Sequence, residues 1–271
     1  MPNTEQPQII YSAHHDSSLF IGGFSERTAL SQEQQVRFSD YGSAETMPRN
    51  GVSHLKSKAS RGIIDLNRAP DSDELFRTKD FENNPIWKPG QEPTEKEQTA
   101  SRRTLYNPYH NQIQAAVERL KGPGWVVAWD NTADKLIGPT EQNEDIQMPD
   151  IILSNMGEEN NAGSESEITS RDPLLLELLV QKLELELEKH HLPLEIKLNL
   201  VFQGGYIAEH YNTRRHPGIM PTDHELQSFQ IEYNTRLTHD QQTLKPKPEG
   251  IRLVREVFEG TLGEAWRSYY R

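Results

Sequence analysis

The chain has 271 residues, 41 acidic against 29 basic, and a formal charge of -12; this length holds one large domain or two small ones around a sizeable core. A net acidic field repels phosphates, which argues against a general nucleic-acid binder and leaves only a local basic pocket for a small anion. No apolar run nears the roughly 18 residues of a membrane span, and the absence of cysteine removes disulfide frameworks, zinc ribbons and thiol nucleophiles.

The opening, MPNTEQPQII, has no basic stretch followed by an apolar one, so no cleaved secretion signal is expected and the chain reads as cytoplasmic. Residues 8–13 are apolar and β-branched or aromatic enough to predict a first strand, and 31–38 a short helix. The apolar run 62–66 predicts a second strand. A stretch rich in Pro, Glu, Lys, Thr and Asn then predicts a long irregular loop over 70–103. Ile113, Ala116, Val117 and Leu120 recur at helical spacing, so a helix is expected over 107–121, stopped by Gly122-Pro123-Gly124. Residues 125–129 and 150–153 predict strands, the latter within an acidic, Asn- and Ser-rich segment, 139–170, that otherwise reads as a second long loop.

Asp172 followed by Pro173 is a cap and first-turn pair, opening a helix through Leu192. Its predicted buried stripe is Leu174, Leu175, Leu178, Leu179, Leu183 and Leu187. Strict alternation over 194–202 predicts a strand near an edge, and 226–232 a last strand. A final helix over 248–267 would face Ile251, Val254, Val257, Phe258 and Leu262 inward. Strand and helix in alternation predict a mixed, mostly parallel sheet covered by helices on both faces, an α/β fold formed as a single domain over 1–271.

Several predicted strands end in groups capable of chemistry: His14-His15-Asp16, Asn67-Arg68, Asp130-Asn131, Gly204-Gly205, and Glu232. In open α/β sheets, ligands sit outside the carboxyl ends of strands, so these ends would share one cleft. Guanidinium with amide is a clamp for a carboxylate. A glutamate beside it can act as a general base through water. Histidine with a carboxylate is half of a catalytic zinc site, which needs three protein ligands and an open position. Together they describe metal-assisted hydrolysis of a small acidic amide. Each piece also has a plainer reading: paired histidines as surface residues, Asp65-Leu66-Asn67-Arg68 as turn chemistry, Gly204-Gly205 as a chain reversal, and Glu232 as a partner for Arg236.

The order Ser12-Ala13-His14, Ser39-Asp40-Tyr41-Gly42, Ser60-Arg61 with Asp65-Leu66-Asn67-Arg68, Tyr109-His110 and Trp129-Asp130 resembles the N-formylglutamate amidohydrolase family. So do Met148-Pro149-Asp150, Gly204-Gly205-Tyr206-Ile207, His210-Tyr211 and Phe229-Gln230-Ile231-Glu232, and the similarity runs from Ile9 to Trp266. The resemblance implies a three-layer α/β/α sandwich like that of the zinc carboxypeptidases. It implies His14 and Asp40 as metal residues, and Arg61, Asn67 and Arg68, with Gly204 and Gly205, as the binding site for a small carboxylate substrate. Glu232 would activate water, and the cofactor would be zinc. One departure stands out: Thr132 and Ala133 replace the histidine and serine that follow the family's Trp-Asp strand, and His15-Asp16 replaces a small pair. A threonine hydroxyl is a poor zinc ligand. Either His15, Asp16 or Asp130 completes the site, or the metal is lost and a pseudoenzyme remains that binds a carboxylate without hydrolysis.

Overall fold

The computed structural model describes residues 6–137, 145–157, 173–220 and 224–270. Its strands in chain order are β1 (Ile9–Ala13), β2 (Ser53–Lys56), β3 (Gly124–Thr132), β4 (Lys135–Ile137), β5 (Asp145–Gln147), β6 (Ile151–Ser154), β7 (Ile196–Leu198) and β8 (Leu226–Asn234). Helices are α1 (Gln32–Phe38), α2 (Ser43–Thr46), α3 (Glu95–Ser101), α4 (Asn107–Val117), α5 (Pro173–Lys189), α6 (Tyr206–His210) and α7 (Pro248–Tyr269).

Six strands form one sheet in the order β2-β1-β3-β8-β6-β7. The four strands from β2 to β8 run parallel, and β6 joins β8 antiparallel, so the sheet is mixed and mostly parallel as expected. Every residue of β1, β3 and β8 is buried, as strands covered on both faces require. Alternation then divides their side chains between two cores. On one face Trp125, Val127, Trp129, Phe229 and Ile231 pack against Leu179 and Leu183 of α5 and Val257, Phe258 and Leu262 of α7. On the other, Ile10, Val126 and Ala128 meet Ile113 and Val117 of α4 and Ile207 of α6. Helices thus cover both sides. Among the described residues no helix is long and apolar enough to cross a membrane.

Several sequence expectations need correction. The run 62–66 is not a strand but a buried turn, with Ile63, Ile64 and Leu66 packed in the second core. Short polar side chains there outcompete a ladder: Ser60 Oγ accepts from Gly62 N, and Asp65 Oδ1 from Asn67 N. The second strand is instead the short, half-exposed edge β2, whose polar sequence gives little signal. The predicted strand over 194–202 shrinks to β7, because Asn199 and Val201 take φ of 51° and 61°. Residues 70–103 are not structureless. They bury Ile86 and Trp87 and carry α3, opened by a Thr94–Glu97 capping box. A π-type turn over Arg102–Tyr106 joins α3 to α4, which starts at Asn107 as expected but ends at Val117, short of 121. In α5 Leu174 is 65% exposed, and Leu176 takes its place in the buried stripe. The Asp172 cap lies outside the described residues, as does most of 139–170; the described part carries β5 and β6.

Candidate active site

Parallel pairing of β3 with β8 sets Asp130 directly beside Glu232, and alternation puts both, with Gln230, on the face that carries Ala128. His14 follows β1 on the neighbouring position, two residues beyond Ser12, whose hydroxyl bonds Tyr109 at 2.8 Å. The carboxyl ends of β1, β3 and β8 therefore converge. They close a cavity of about 570 Å³ whose lining includes His15, Asp40, Arg61, Asn67, Asp130 and Glu232. Arg68, Thr132 and Gly204 line it too, so Arg68 and Glu232 face one space.

At its floor His14 Nε2 lies 3.0 Å from Asp130 Oδ2, and His15 Nδ1 lies 3.7 Å from Asp130 Oδ1. One donor atom from each of His14, His15 and Asp130 falls within 4.8 Å of the others. His14 Nδ1 is tied to Ser12 O at 3.0 Å, which fixes the ring and leaves Nε2 inward. His14 Nε2 and Asp130 Oδ1 are buried and make no hydrogen bond, although Nε2 stands 3.0 Å from the other Asp130 oxygen. Such atoms normally have a partner. Burial holds His14 down to about 4, and burial followed by Arg61 lowers His15 as well, so both imidazoles are neutral and able to ligate.

Charge balance points the same way. Asp40, Asp65, Asp130 and Glu232 crowd this floor with Arg61 the buried cation among them. Burial and the neighbouring Asp130 push Asp40 up to about 6, and burial pushes Asp130 up to about 7. Burial, then Asp130 and Asp40, puts Glu232 well above the usual carboxylate range. Buried carboxyl groups crowded together, whose ionisation burial and one another oppose, form a donor set suited to a divalent cation. His14, His15 and Asp130 fit zinc in number and type.

Not every expected ligand joins them. Asp40 lines the cavity with Oδ2 3.2 Å from His15 Nδ1 but is not part of the trio, while Asp16 turns away to accept from Ala44 N at 2.9 Å. The substrate residues are likewise knit together. Arg61 lies over Phe81, 4.7 Å from the ring centroid, and pairs with Asp65 at 3.0 Å. Burial opposes ionisation of Asp65, yet Arg61 and His15 outweigh it and hold its carboxyl well below the usual range. Asn67 Oδ1 accepts from Ile207 N at 2.9 Å, and its Nδ2 lies 3.4 Å from Gln230 Oε1. Gln230 in turn donates to Glu232 Oε1 at 2.5 Å. Arg68 is half-buried and pairs with Glu74 at 3.2 Å. Gly204 reaches the cavity with φ of 114°, whereas Gly205 lies behind Asn67: a Cβ there would stand 2.2 Å from Asn67 Nδ2. Glu232 does not pair with Arg236, which binds Asp150 at 2.8 Å.

Sequence reasoning gave no role to Asp65, Gln230 or Arg77. Asp65 stands inside the stretch that carried the resemblance, and Gln230 two residues before Glu232 on the same strand face; either position was a usable signal. Arg77, 3.8 Å from Asp65, comes from the 70–103 segment and left no such mark.

Comparison with known proteins agrees with this geometry. Curated N-formylglutamate deformylases of Pseudomonas aeruginosa and Pseudomonas putida are 29% and 30% identical over 170 and 171 residues, which is 59% of this chain. The matched part spans 58% and 57% of those relatives' own length. A crystal structure of N-formylglutamate amidohydrolase from Ralstonia eutropha superposes with TM-score 0.66 at 18% identity, covering 98% of this chain and 95% of that one. A gene product of Agrobacterium tumefaciens gives 0.65 at 14% identity over 100% and 96% of the two chains, and both likenesses establish the α/β fold. The family model described as N-formylglutamate amidohydrolase matches residues 8–238, which takes in every residue of the floor, and the chain belongs to that family.

Proposed function

We propose that the chain is a zinc-dependent hydrolase that cleaves the amide of an N-acylated acidic amino acid or a related small amide. One observation carries the reading. Two neutral buried imidazoles and a buried carboxylate, with His14 Nε2 and Asp130 Oδ1 lacking hydrogen bonds, cluster where His15 and Asp130 line a cavity that also presents a guanidinium and a separate glutamate. The names of the curated relatives support the substrate class.

His14, His15 and Asp130 would hold the ion, which supplies Lewis acidity toward an amide carbonyl. The remaining work falls to this chain's side chains. Arg61, stacked on Phe81 and anchored by Asp65, offers its charge to the substrate carboxylate, with Arg68 beside it at the rim. Asn67, whose amide nitrogen makes only a long bond to Gln230, adds a donor. Glu232 has one oxygen held by Gln230, and its raised proton affinity suits it to take a proton from water and deliver it to the leaving nitrogen.

Elemental analysis for zinc, combined with hydrolysis of N-formylglutamate and longer N-acylglutamates, tests the reading. Near-stoichiometric metal, and turnover abolished by a chelator and by Glu232→Gln, are expected. Activity that survives complete metal removal would overturn the metal's role. Thr132, where the resembled family carries a histidine, favours a second reading as a metal-free binder of small carboxylates. That reading predicts thermal stabilisation by N-acylglutamates with no turnover in any metal.

A further inference from the structure

The cavity is larger than a formylated amino acid requires, and part of its remaining lining is apolar. Even at a water molecule's share of about 30 Å³ per non-hydrogen atom, N-formylglutamate, with about a dozen such atoms, fills roughly 360 Å³. Against about 570 Å³ of cavity, roughly 200 Å³ remains, room for about seven more atoms. The polar groups that would take carboxylate and amide, Arg61, Asn67, Asp130 and Glu232, are gathered on the floor. Val36, Ala133, Val201, Phe202 and Leu244 line the cavity beyond them, interspersed with polar side chains such as Gln34, Arg37, Gln203 and Gln241. The five apolar residues offer no side-chain hydrogen bond, so the space directly against them suits hydrocarbon.

Two of these residues carry an independent mark. Val201 and Leu244 adopt φ of 61° and 55°, the left-handed region that branched side chains avoid, and Val201 is 45% exposed. Strain of this kind persists where surrounding structure enforces it, and it gathers at ligand clamps. Both strained residues line this one cavity. Ala133 adds space of its own, since a single methyl stands where β3 leaves the floor.

Resting on the hydrolase reading, we propose that the preferred substrate carries an acyl group larger than formyl: an apolar chain or ring of about six or seven non-hydrogen atoms, lodged against Val36, Ala133, Val201, Phe202 and Leu244. The assignment to the acyl side follows from the floor. The guanidinium and amide donors hold the amino-acid end, so the apolar space lies across the amide from them.

An acyl series tests this without any variant: N-formyl-, N-acetyl-, N-butanoyl-, N-hexanoyl- and N-benzoyl-glutamate, compared by kcat/KM on the zinc-loaded protein. Burying one methylene is worth about fourfold. N-hexanoylglutamate is expected to exceed N-formylglutamate at least about tenfold, and Ala133→Phe, which fills the lobe, to lower that ratio at least about tenfold. Hydrolysis of the whole series with formyl best would overturn the acyl lobe and leave the hydrolase reading standing. If nothing in the series is hydrolysed, the hydrolase reading fails, and calorimetry with the same compounds decides the lobe. Affinity that tightens along the series supports it; affinity independent of acyl length overturns it.

Discussion

Competition between protons and zinc at the floor is the sharpest consequence of this geometry. In an ordinary histidine site, affinity falls below pH 6.5 because imidazoles protonate. Here burial holds His14 down to about 4, so it scarcely competes above pH 5. The competing proton sits on Asp130, pushed up to about 7. Because His14 Nε2 and Asp130 Oδ2 are 3.0 Å apart, the pair holds one proton between them below that pH, whichever atom carries it. Binding a cation must expel it. Zinc affinity is therefore expected to level off above pH 7 and to fall about tenfold, or about 1.4 kcal/mol, per unit below it. Asp40, pushed up to about 6, steepens the fall at lower pH if its proton leaves as well.

Stability without metal follows with a definite sign. Asp130 has a raised folded pKa, so its contribution is present at low pH and is lost as pH rises through about 7. His14 has a lowered one, so its contribution grows only up to about 6.5, the unfolded value. From pH 6.5 to 8 the apo-protein should lose thermal stability, and zinc should restore it most strongly at the upper end. The assay is zinc affinity from pH 5 to 8 by chelator competition, with scanning calorimetry in parallel. Asp130→Asn should bind more weakly with a flattened slope between pH 5 and 7. Wild-type affinity that is flat over that range, or an unchanged slope in Asp130→Asn, would refute the reasoning.

Other substitutions separate the roles of neighbouring residues. Asp65→Asn leaves the buried Arg61 guanidinium without its charge partner and should cost about 3–5 kcal/mol in urea unfolding. Gly205→Ala forces a methyl onto the Asn67 amide and should destabilise by about 1–3 kcal/mol while raising KM for any carboxylate substrate. Glu232→Gln should lower kcat by about 10²- to 10⁴-fold. The same change removes a carboxyl whose ionisation burial opposes, so the melting temperature at pH 8 should not fall; a drop of several degrees there would mean that Glu232 is structural.

Strand periodicity made the floor partly readable before any coordinates. Residues 8–13, 125–129 and 226–232 predicted β1, β3 and β8, and an open parallel sheet brings their ends together. Hence His14, Asp130 and Glu232 were named, and they do converge. Helices α5 and α7 announced themselves because long apolar stripes leave few alternatives. What stayed hidden was side-chain direction at the ends of strands. His14 and His15 are adjacent in sequence, and nothing local says that both turn inward while Asp16 turns out to cap Ala44. The 62–66 run had strand composition, yet local bonds from Ser60 and Asp65 fold it into a turn.

That turn explains why the charge pattern, rather than any one motif, defines the site. Asp65 Oδ1 accepts from His15 Nε2 at 2.7 Å while Asp65 Oδ2 binds Arg61, so a single carboxylate ties the His14, His15 and Asp130 cluster to the Arg61 guanidinium. With Asp65 paired to Arg61, whose guanidinium also lies 3.9 Å from Asp40, three further carboxyls crowd the floor, and burial first of all raises the pKa of each. Thr132 stands where the resemblance led one to expect a ligand, and the proposed cation site is made up instead by His14, His15 and Asp130. His15 offers an imidazole from the carboxyl end of the neighbouring strand β1, and its other nitrogen is held by Asp65, the arrangement by which a carboxylate orients a ligating histidine in metal sites.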